Sequence, residues 1–209
     1  FFHTPDVYFL YKQTKRLSPF SILVLDEHSQ VVGLALGEIA DECISFFHLT
    51  RHVTFYAEPI YNGDVDVLEL LLMEIKKHAQ GLFTEIRPRF ILNNTEQALY
   101  VKHGFLYKPH LNALFDLTNI EDAWKRLLPD KQKGVSEAKG LGLQITEDKT
   151  LTTFQQAYVL LSALYKRKRR FLKSKSFFFN LMNMPTTGLL IAYYNNVAIG
   201  VQIYFVYNN

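Results

Sequence analysis

The 209-residue chain has a single cysteine, Cys43, which excludes a disulfide framework and a cysteine-rich zinc site. It also lacks a long apolar run. The longest, such as Gly188–Tyr194 and Val197–Tyr207, fall short of the roughly 18 to 20 residues that a membrane-spanning helix needs. Neither an initiator methionine nor a leader peptide precedes the first helix, so we expect both ends to be cuts. These absences predict a soluble, cytoplasmic protein.

Acidic residues are missing from the last part of the chain. Residues 149–209 contain eight Lys or Arg, whereas all 20 Asp and Glu lie in residues 1–148. This asymmetry favours a polyanionic partner or a phosphate-bearing ligand near the basic part. The alternative is that Lys166–Arg170 forms only the solvated end of a helix, where its charge complements the helix dipole.

Signatures of metal and nucleophile sites are missing as well. Among the seven histidines, His48 and His52 are four residues apart, but they fall in a predicted turn and strand. There is no Gly-x-Ser-x-Gly elbow, and Cys43 has no matching catalytic histidine signature. We therefore predict no metal site and single out no catalytic residue.

The first half of the chain predicts a mixed α/β unit. Apolar spacing and turn residues predict a helix from Pro5 to about Leu17, a hairpin of Phe20–Leu25 and Val31–Ile39, strands within Cys43–Leu49 and Val53–Ile60, a helix over Val67–Ala79, a strand over Thr84–Leu92, a helix over Thr95–His103 and one or two closing strands in Phe105–Leu117.

The second half begins with another helical stretch. Its pattern predicts a helix over Ile120–Leu127 that Pro129 breaks or kinks, a basic and polar segment Lys131–Lys139, a strand Leu143–Thr146, a helix capped at Thr152-Thr153, a short helix capped by Ser174 or Ser176 and a hairpin of Gly188–Tyr194 and Val197–Tyr207. Asn195-Asn196 is a typical two-residue hairpin turn.

The two hairpins resemble each other. In both, the second strand begins with β-branched residues followed by a glycine, Gly33 in one and Gly200 in the other. We interpret this as two copies of one unit, residues 1–117 and residues 118–209, the second incomplete. Apolar hairpins with glycine are common, and a chance match is the alternative.

This order of elements resembles the GNAT-like acyltransferase fold, and two copies in tandem resemble the Fem-type aminoacyltransferases that extend peptidoglycan cross-bridges. The stretches that carry the resemblance are Tyr56–Ile60, Glu85–Arg87, Ala113–Thr118, Glu121–Trp124 and Lys131–Gly142. The fold class expected is thus mixed α/β, GNAT-like, with one complete copy and one incomplete copy.

The resemblance implies a transferase that moves an aminoacyl group from aminoacyl-tRNA to an amine of a peptidoglycan precursor or a related amino compound. One alternative is an acyl-CoA-dependent N-acetyltransferase. In such enzymes a glycine-rich turn cradles the pyrophosphate, but the turn Asn62–Asp66 has two aspartates that would repel it, so acyl-CoA is possible only if the loop lies beyond Asn209. Another alternative is a non-catalytic binding module.

The candidate substrate-binding residues are basic. Arg87 and Arg89 alternate on a predicted strand, where they face one side and either grip a carboxylate or phosphate or pair with Glu85 or Glu58. Lys12 lies near the place of a substrate-binding lysine in Fem-type proteins, or simply faces solvent. The remaining candidates for contacts with tRNA or a nucleotide- or lipid-diphosphate substrate are Lys131, Lys133, Arg167, Arg169 and Arg170.

Overall fold

A computed structural model describes residues 1–41, 50–79 and 81–207. The chain is mixed α/β, with seven helices and two sheets in these ranges. It divides into two compact units, Phe1–His110 and Leu111–Asn209, called unit 1 and unit 2 below.

Unit 1 is built around a mixed five-stranded sheet. Its elements are α1 (Pro5–Gln13), β1 (Leu17–Leu25), β2 (Val31–Asp41), β3 (Arg51–Phe55), β4 (Ile60–Tyr61), α2 (Val65–His78), β5 (Phe83–Ile86) and α3 (Asn94–Lys102). The strands follow the order β1-β2-β3-β5, and β4 pairs with β2. Only the β3–β5 pair is parallel among the described strands.

Helix α2 supplies half of the buried residues in the two core clusters of unit 1. Its apolar stripe buries Leu71 and Ile75 against Val53 and Phe55 of the sheet. The helix also approaches β2 closely, because a Cβ at Gly33 would lie 2.7 Å from the Val67 side chain. The helix predicted over Val67–Ala79 is thus confirmed, although it begins two residues earlier, at Val65, and ends at His78.

The first helix ends earlier than the predicted Leu17. Thr14 is extended and its hydroxyl donates to the carbonyl of Leu10, and Arg16 has a positive φ of 66°, so the chain turns into β1. Leu17 then pairs with Ala40 in the sheet. Because β1 lies at the sheet edge, Pro19 is tolerated within it.

Three strand predictions in unit 1 are wrong in extent. The strand predicted over Val53–Ile60 is interrupted, because β3 ends at Phe55 and β4 begins only at Ile60. The strand predicted over Thr84–Leu92 ends at Ile86, and no strand forms over residues 105–117 within the described part of the chain. Pro109 has no N–H to give to a ladder, and Leu106 and Leu114 are 97% and 79% exposed rather than packed on a sheet face. The strand predicted within Cys43–Leu49 lies outside the described residues.

Unit 2 combines four helices with a three-stranded antiparallel sheet in its described residues. Its elements are α4 (Ile120–Arg126), α5 (Pro129–Gly140), β6 (Gln144–Glu147), α6 (Leu151–Arg167), α7 (Lys175–Met182), β7 (Thr187–Tyr194) and β8 (Val197–Phe205), with the strand order β6-β7-β8. Phe154, Ala157, Met182 and Leu189 form its core.

Three local predictions in unit 2 are corrected or confirmed. Pro129 follows a break in the helix, one of the two predicted effects, because α4 ends at Arg126 and Pro129 starts a new helix. The segment Lys131–Lys139 is therefore helical. The cap of α6 is Thr150 rather than Thr152 or Thr153, because its hydroxyl accepts from the Thr153 N–H. Ser174 caps α7 as predicted.

Each of the two hairpins has a bulge directly before its glycine, one ladder pair from the turn in unit 1 and two pairs from it in unit 2. In each, the register shifts by one residue near the turn, and the last regular pair before the shift is Val24–Gly33 in unit 1 and Ala192–Gly200 in unit 2. Gly33 and Gly200 therefore hold the same position relative to the bulge.

Candidate functional site

The sheet of unit 1 is interrupted next to β2. This strand pairs with β3 from Glu38 onward and with β4 at Gly33 and Leu34. Between these two ladders, the chain that joins β3 to β4 is two residues longer than the facing part of β2. The extra residues lie in the stretch 56–59, called the strand break below. Irregularities of this kind are common beside active sites, where they redirect side chains.

The imidazole of His3 bridges the strand break. The backbone N–H of Leu36 donates to His3 Nδ1 at 3.2 Å, and His3 Nε2 lies 2.8 Å from the carbonyl oxygen of Glu58. In the neutral ring this pairing places the proton on Nε2, because Nδ1 accepts the hydrogen bond from Leu36 and Nε2 faces a carbonyl oxygen, which can only accept. Burial lowers the pKa of His3 below its usual 6.5. The carbonyl and the carboxylate of Glu58 raise this pKa, but their effect is smaller than that of burial. The ring takes over hydrogen bonds that a regular ladder would make.

A fully buried carboxylate, Glu38, stands at the β2 side of the break. The Tyr56 hydroxyl donates to Glu38 Oε1 at 3.0 Å. Burial, followed by the nearby Glu38 charge, raises the pKa of both Tyr56 and Tyr11 well above 10, so both phenols stay protonated. The sheet thus encloses the Glu38 side chain, which is held by a neutral phenol donor.

Arg87 covers the outer face of this pair. It follows β5 directly, and its guanidinium carbon lies 5.0 Å from the centre of the Tyr56 ring. Its Nη2 also lies 2.7 Å from Glu85 Oε2, which raises the pKa of Arg87 and lowers that of Glu85. The predicted alternative of an ion pair with Glu85 is therefore confirmed for Arg87.

Arg89 reaches the same region by its backbone. Its N–H donates to Glu58 Oε2 at 2.8 Å, and its guanidinium carbon lies 5.8 Å from the Phe2 ring centre and 5.5 Å from that of Phe90. Since β5 ends at Ile86, strand alternation does not place the two arginines. They meet at the strand break through Tyr56 and Glu58 instead.

The site residues that sequence reasoning missed are His3, Glu38 and Tyr56. One signal pointed to Glu38, because it is the single charged residue inside the apolar run Val31–Ala40. No comparable signal marks His3, since its partners are backbone groups on β2 and in the strand break.

Lys12 is exposed in the last turn of α1, where its charge complements the helix dipole. It makes no ion pair within the described ranges. The neighbouring Tyr11 points inward, toward Glu38.

The turn before α2 is closed by carboxylate and amide caps. Asp64 accepts from the Asp66 N–H at 3.0 Å, and Asn62 accepts from the Asp64 N–H at the same distance. The N-terminus of α2 therefore already carries a negative side chain. A phosphate there would meet charge repulsion rather than free N–H donors.

In unit 2, Lys131 and Lys133 are exposed on α5. Lys133 lies 3.7 Å from Glu137 one turn later. Between the two lysines, the Gln132 amide donates to the Trp124 carbonyl at 2.8 Å and so caps the end of α4. Lys133 is partly neutralised locally, whereas Lys131 extends into solvent.

Lys166–Arg170, called the basic segment below, ends α6 in a Schellman motif. The Arg169 N–H donates to the Lys166 carbonyl at 3.1 Å, and the Arg170 N–H to that of Tyr165 at 3.0 Å. Arg169 has a φ of 51°, which is uncommon outside glycine. All five basic side chains are exposed, and none forms an ion pair within the described residues.

No group of His, Cys, Asp and Glu in the described residues is arranged to hold a metal ion. Over the same residues, no helix combines the length and apolarity needed to cross a membrane. No protein-family model matches the sequence, and a search of curated proteins found no match either.

Proposed function

We propose that the chain is a tandem GNAT-like acyltransferase of the Fem type, with residues 1–117 as one copy and residues 118–209 as part of a second. It transfers an aminoacyl group from aminoacyl-tRNA to an amine of a peptidoglycan precursor or a related amino compound. The observation that carries the proposal is the repeated hairpin, with its bulge before Gly33 and before Gly200.

A second likeness between the hairpins supports the repeat. In each hairpin, a backbone N–H at the end of the second strand donates to the carbonyl of the residue just before the first strand. These bonds join the Asp41 N–H to the Arg16 carbonyl at 3.2 Å, and the Val206 N–H to the Thr186 carbonyl at 2.8 Å. Helix, loop and hairpin are thus closed in the same way in both units.

The strand break of unit 1 provides the acceptor site in this proposal. Arg87, beside its Glu85 partner, and Arg89 would each direct a guanidinium group to a carboxylate or phosphate of the acceptor. Lys12, exposed at the end of α1, is a further candidate cation in unit 1. In the reaction, the acceptor amine attacks the ester carbonyl of the aminoacyl group, an amide bond forms, the ester C–O bond breaks, and the tRNA hydroxyl leaves with a proton. Positioning of the two substrates is the main task of the protein in such a transfer.

The donor is proposed to be tRNA because of the charges. The basic segment, with Lys131 and Lys133, supplies cationic groups for phosphates. In unit 1 the Asp64 cap occupies the helix N-terminus that would cradle the pyrophosphate of an acyl-CoA. The described part of the chain therefore favours a tRNA donor over acyl-CoA.

The proposal is tested by amino-acid transfer. The 209-residue chain is incubated with tRNA charged with a radiolabelled amino acid and with a soluble peptidoglycan precursor that has a free side-chain amine. We expect label to appear in the precursor as an amide. The double variant Arg87→Gln/Arg89→Gln should raise the KM for the precursor, while the exposed control Arg126→Gln should not.

Two results would contradict the proposal. Absence of labelled amide with every charged tRNA and amine acceptor would contradict the proposed aminoacyl transfer. An unchanged KM in the Arg87→Gln/Arg89→Gln variant would move the acceptor site away from the strand break.

A further inference from the structure

An exposed aromatic ring follows the basic segment directly. Phe171 is 77% exposed, the most exposed aromatic side chain in unit 2 among the described residues. Exposing a large ring to water is unfavourable, so a ring held at the surface next to cations is suited to a ligand that covers it.

The other phenylalanines nearby are occupied by the packing of unit 2 itself. The Lys173 ammonium lies 5.1 Å above the Phe177 ring. Phe178 meets Tyr158 edge-on at 5.9 Å, and Phe179 meets Phe154 at 5.6 Å. Phe171 has no such ring contact in the part of the chain that the structure describes, which leaves its face available.

The charge of the basic segment is also not balanced locally. Residues 149–209 contain no carboxylate side chain. Five adjacent cations repel one another, and the Schellman motif holds their backbone at the negative end of α6, which offsets only part of that repulsion. A chain of phosphates beside the segment would offset the rest.

We propose that the basic segment and Phe171 bind unpaired nucleotides of RNA, with phosphates on the cations and a base stacked on Phe171. This rests on the proposed function, since it specifies which part of a tRNA the segment takes. A surface ring can stack only on a base that is not already stacked within a duplex, so the combination of ring and cations selects single strands. Sequence preference is not expected, because every base presents a flat face.

The test compares binding of a short unstructured RNA with binding of the same RNA annealed to its complement, by fluorescence anisotropy at several salt concentrations. We expect Phe171→Ala to weaken single-strand binding by about five- to a hundred-fold and to leave duplex binding unchanged. Phe171→Trp, which keeps a ring, should retain the single-strand affinity. Tyr194→Ala, at another exposed ring of unit 2, is the control and should change neither.

The triple variant Arg167→Gln/Arg169→Gln/Arg170→Gln separates this inference from the proposed function. It should weaken both RNAs and reduce the single-strand log–log salt slope by about 2, since each phosphate contact contributes about 0.7. If the triple variant weakens binding but Phe171→Ala does not, the stacking inference is wrong and the tRNA donor stands. If the triple variant changes nothing, the basic segment does not bind RNA, and both fail.

Discussion

Gly33 and Gly200 differ in how closely other side chains pack against them, and alanine substitutions test this difference. A Cβ at Gly33 would lie 2.7 Å from Val67 Cγ1 and 3.1 Å from Leu71 Cδ1. Val67 is buried, and a β-branched side chain in a helix has essentially one rotamer, so it cannot swing aside. Gly33→Ala therefore forces α2 away from the sheet.

Overpacking of this kind costs about 1 to 3 kcal/mol. For a unit of this size, the loss lowers the melting temperature by roughly 5 to 15 °C. At Gly200, which has the same position in its hairpin, an added Cβ would meet only Ala192 Cβ at 3.5 Å, an ordinary contact. Gly200→Ala should instead stabilise unit 2 by about 0.5 to 1 kcal/mol, because alanine loses less backbone entropy on folding.

Differential scanning calorimetry of both variants and the parent chain measures these effects. The reasoning is refuted if Gly33→Ala melts with the parent, since α2 would then not hold the contact that the structure gives it. It is also refuted if Gly200→Ala loses as much as Gly33→Ala, because the second hairpin would then be packed as tightly at Gly200 as α2 packs the first at Gly33.

Three other changes probe the strand break and the turn before α2. Because the pKa of His3 is lowered from 6.5, the unfolded chain binds the proton first as the pH falls, so the free energy of unfolding should drop below about pH 6.5 and level off below the folded-state pKa. Urea titrations at several pH values should show this for the parent and a flatter pH dependence for His3→Gln. Equal pH dependence in the two proteins would disprove the bridge. Tyr56→Phe removes a donor from buried Glu38 and should cost about 1 to 3 kcal/mol in the same titrations, so an unaffected variant would argue against that hydrogen bond. Acetyl-CoA should give no saturable heat in isothermal titration calorimetry, and micromolar binding would show that the Asp64 cap does not exclude a pyrophosphate.

Elements with a strong local signal could be predicted from the sequence. The apolar stripe of α2, the Ser174 cap and the Asn195-Asn196 turn each depend on residues that are neighbours in the chain, and all three form. Where the outcome depends on distant partners, prediction was wrong. Leu17 continues the helical spacing of α1 but pairs with Ala40 in the sheet instead.

The candidate site illustrates the same limit. Arg87 and Arg89 could be selected because two cations stand close together in the sequence, but their placement follows from Tyr56 and Glu58, which lie about thirty residues earlier. The His3 bridge depends on backbone groups at Leu36 and Glu58, and backbone groups leave no mark in a sequence.

The choice of donor is the central claim, and one competition reaction tests it most directly. The 209-residue chain is incubated with charged tRNA, acetyl-CoA and a peptidoglycan precursor that has a free amine, all in one reaction. The mass of the precursor is then measured by intact mass spectrometry. We expect the precursor to gain the mass of one amino-acid residue. A gain of one acetyl group instead would contradict it.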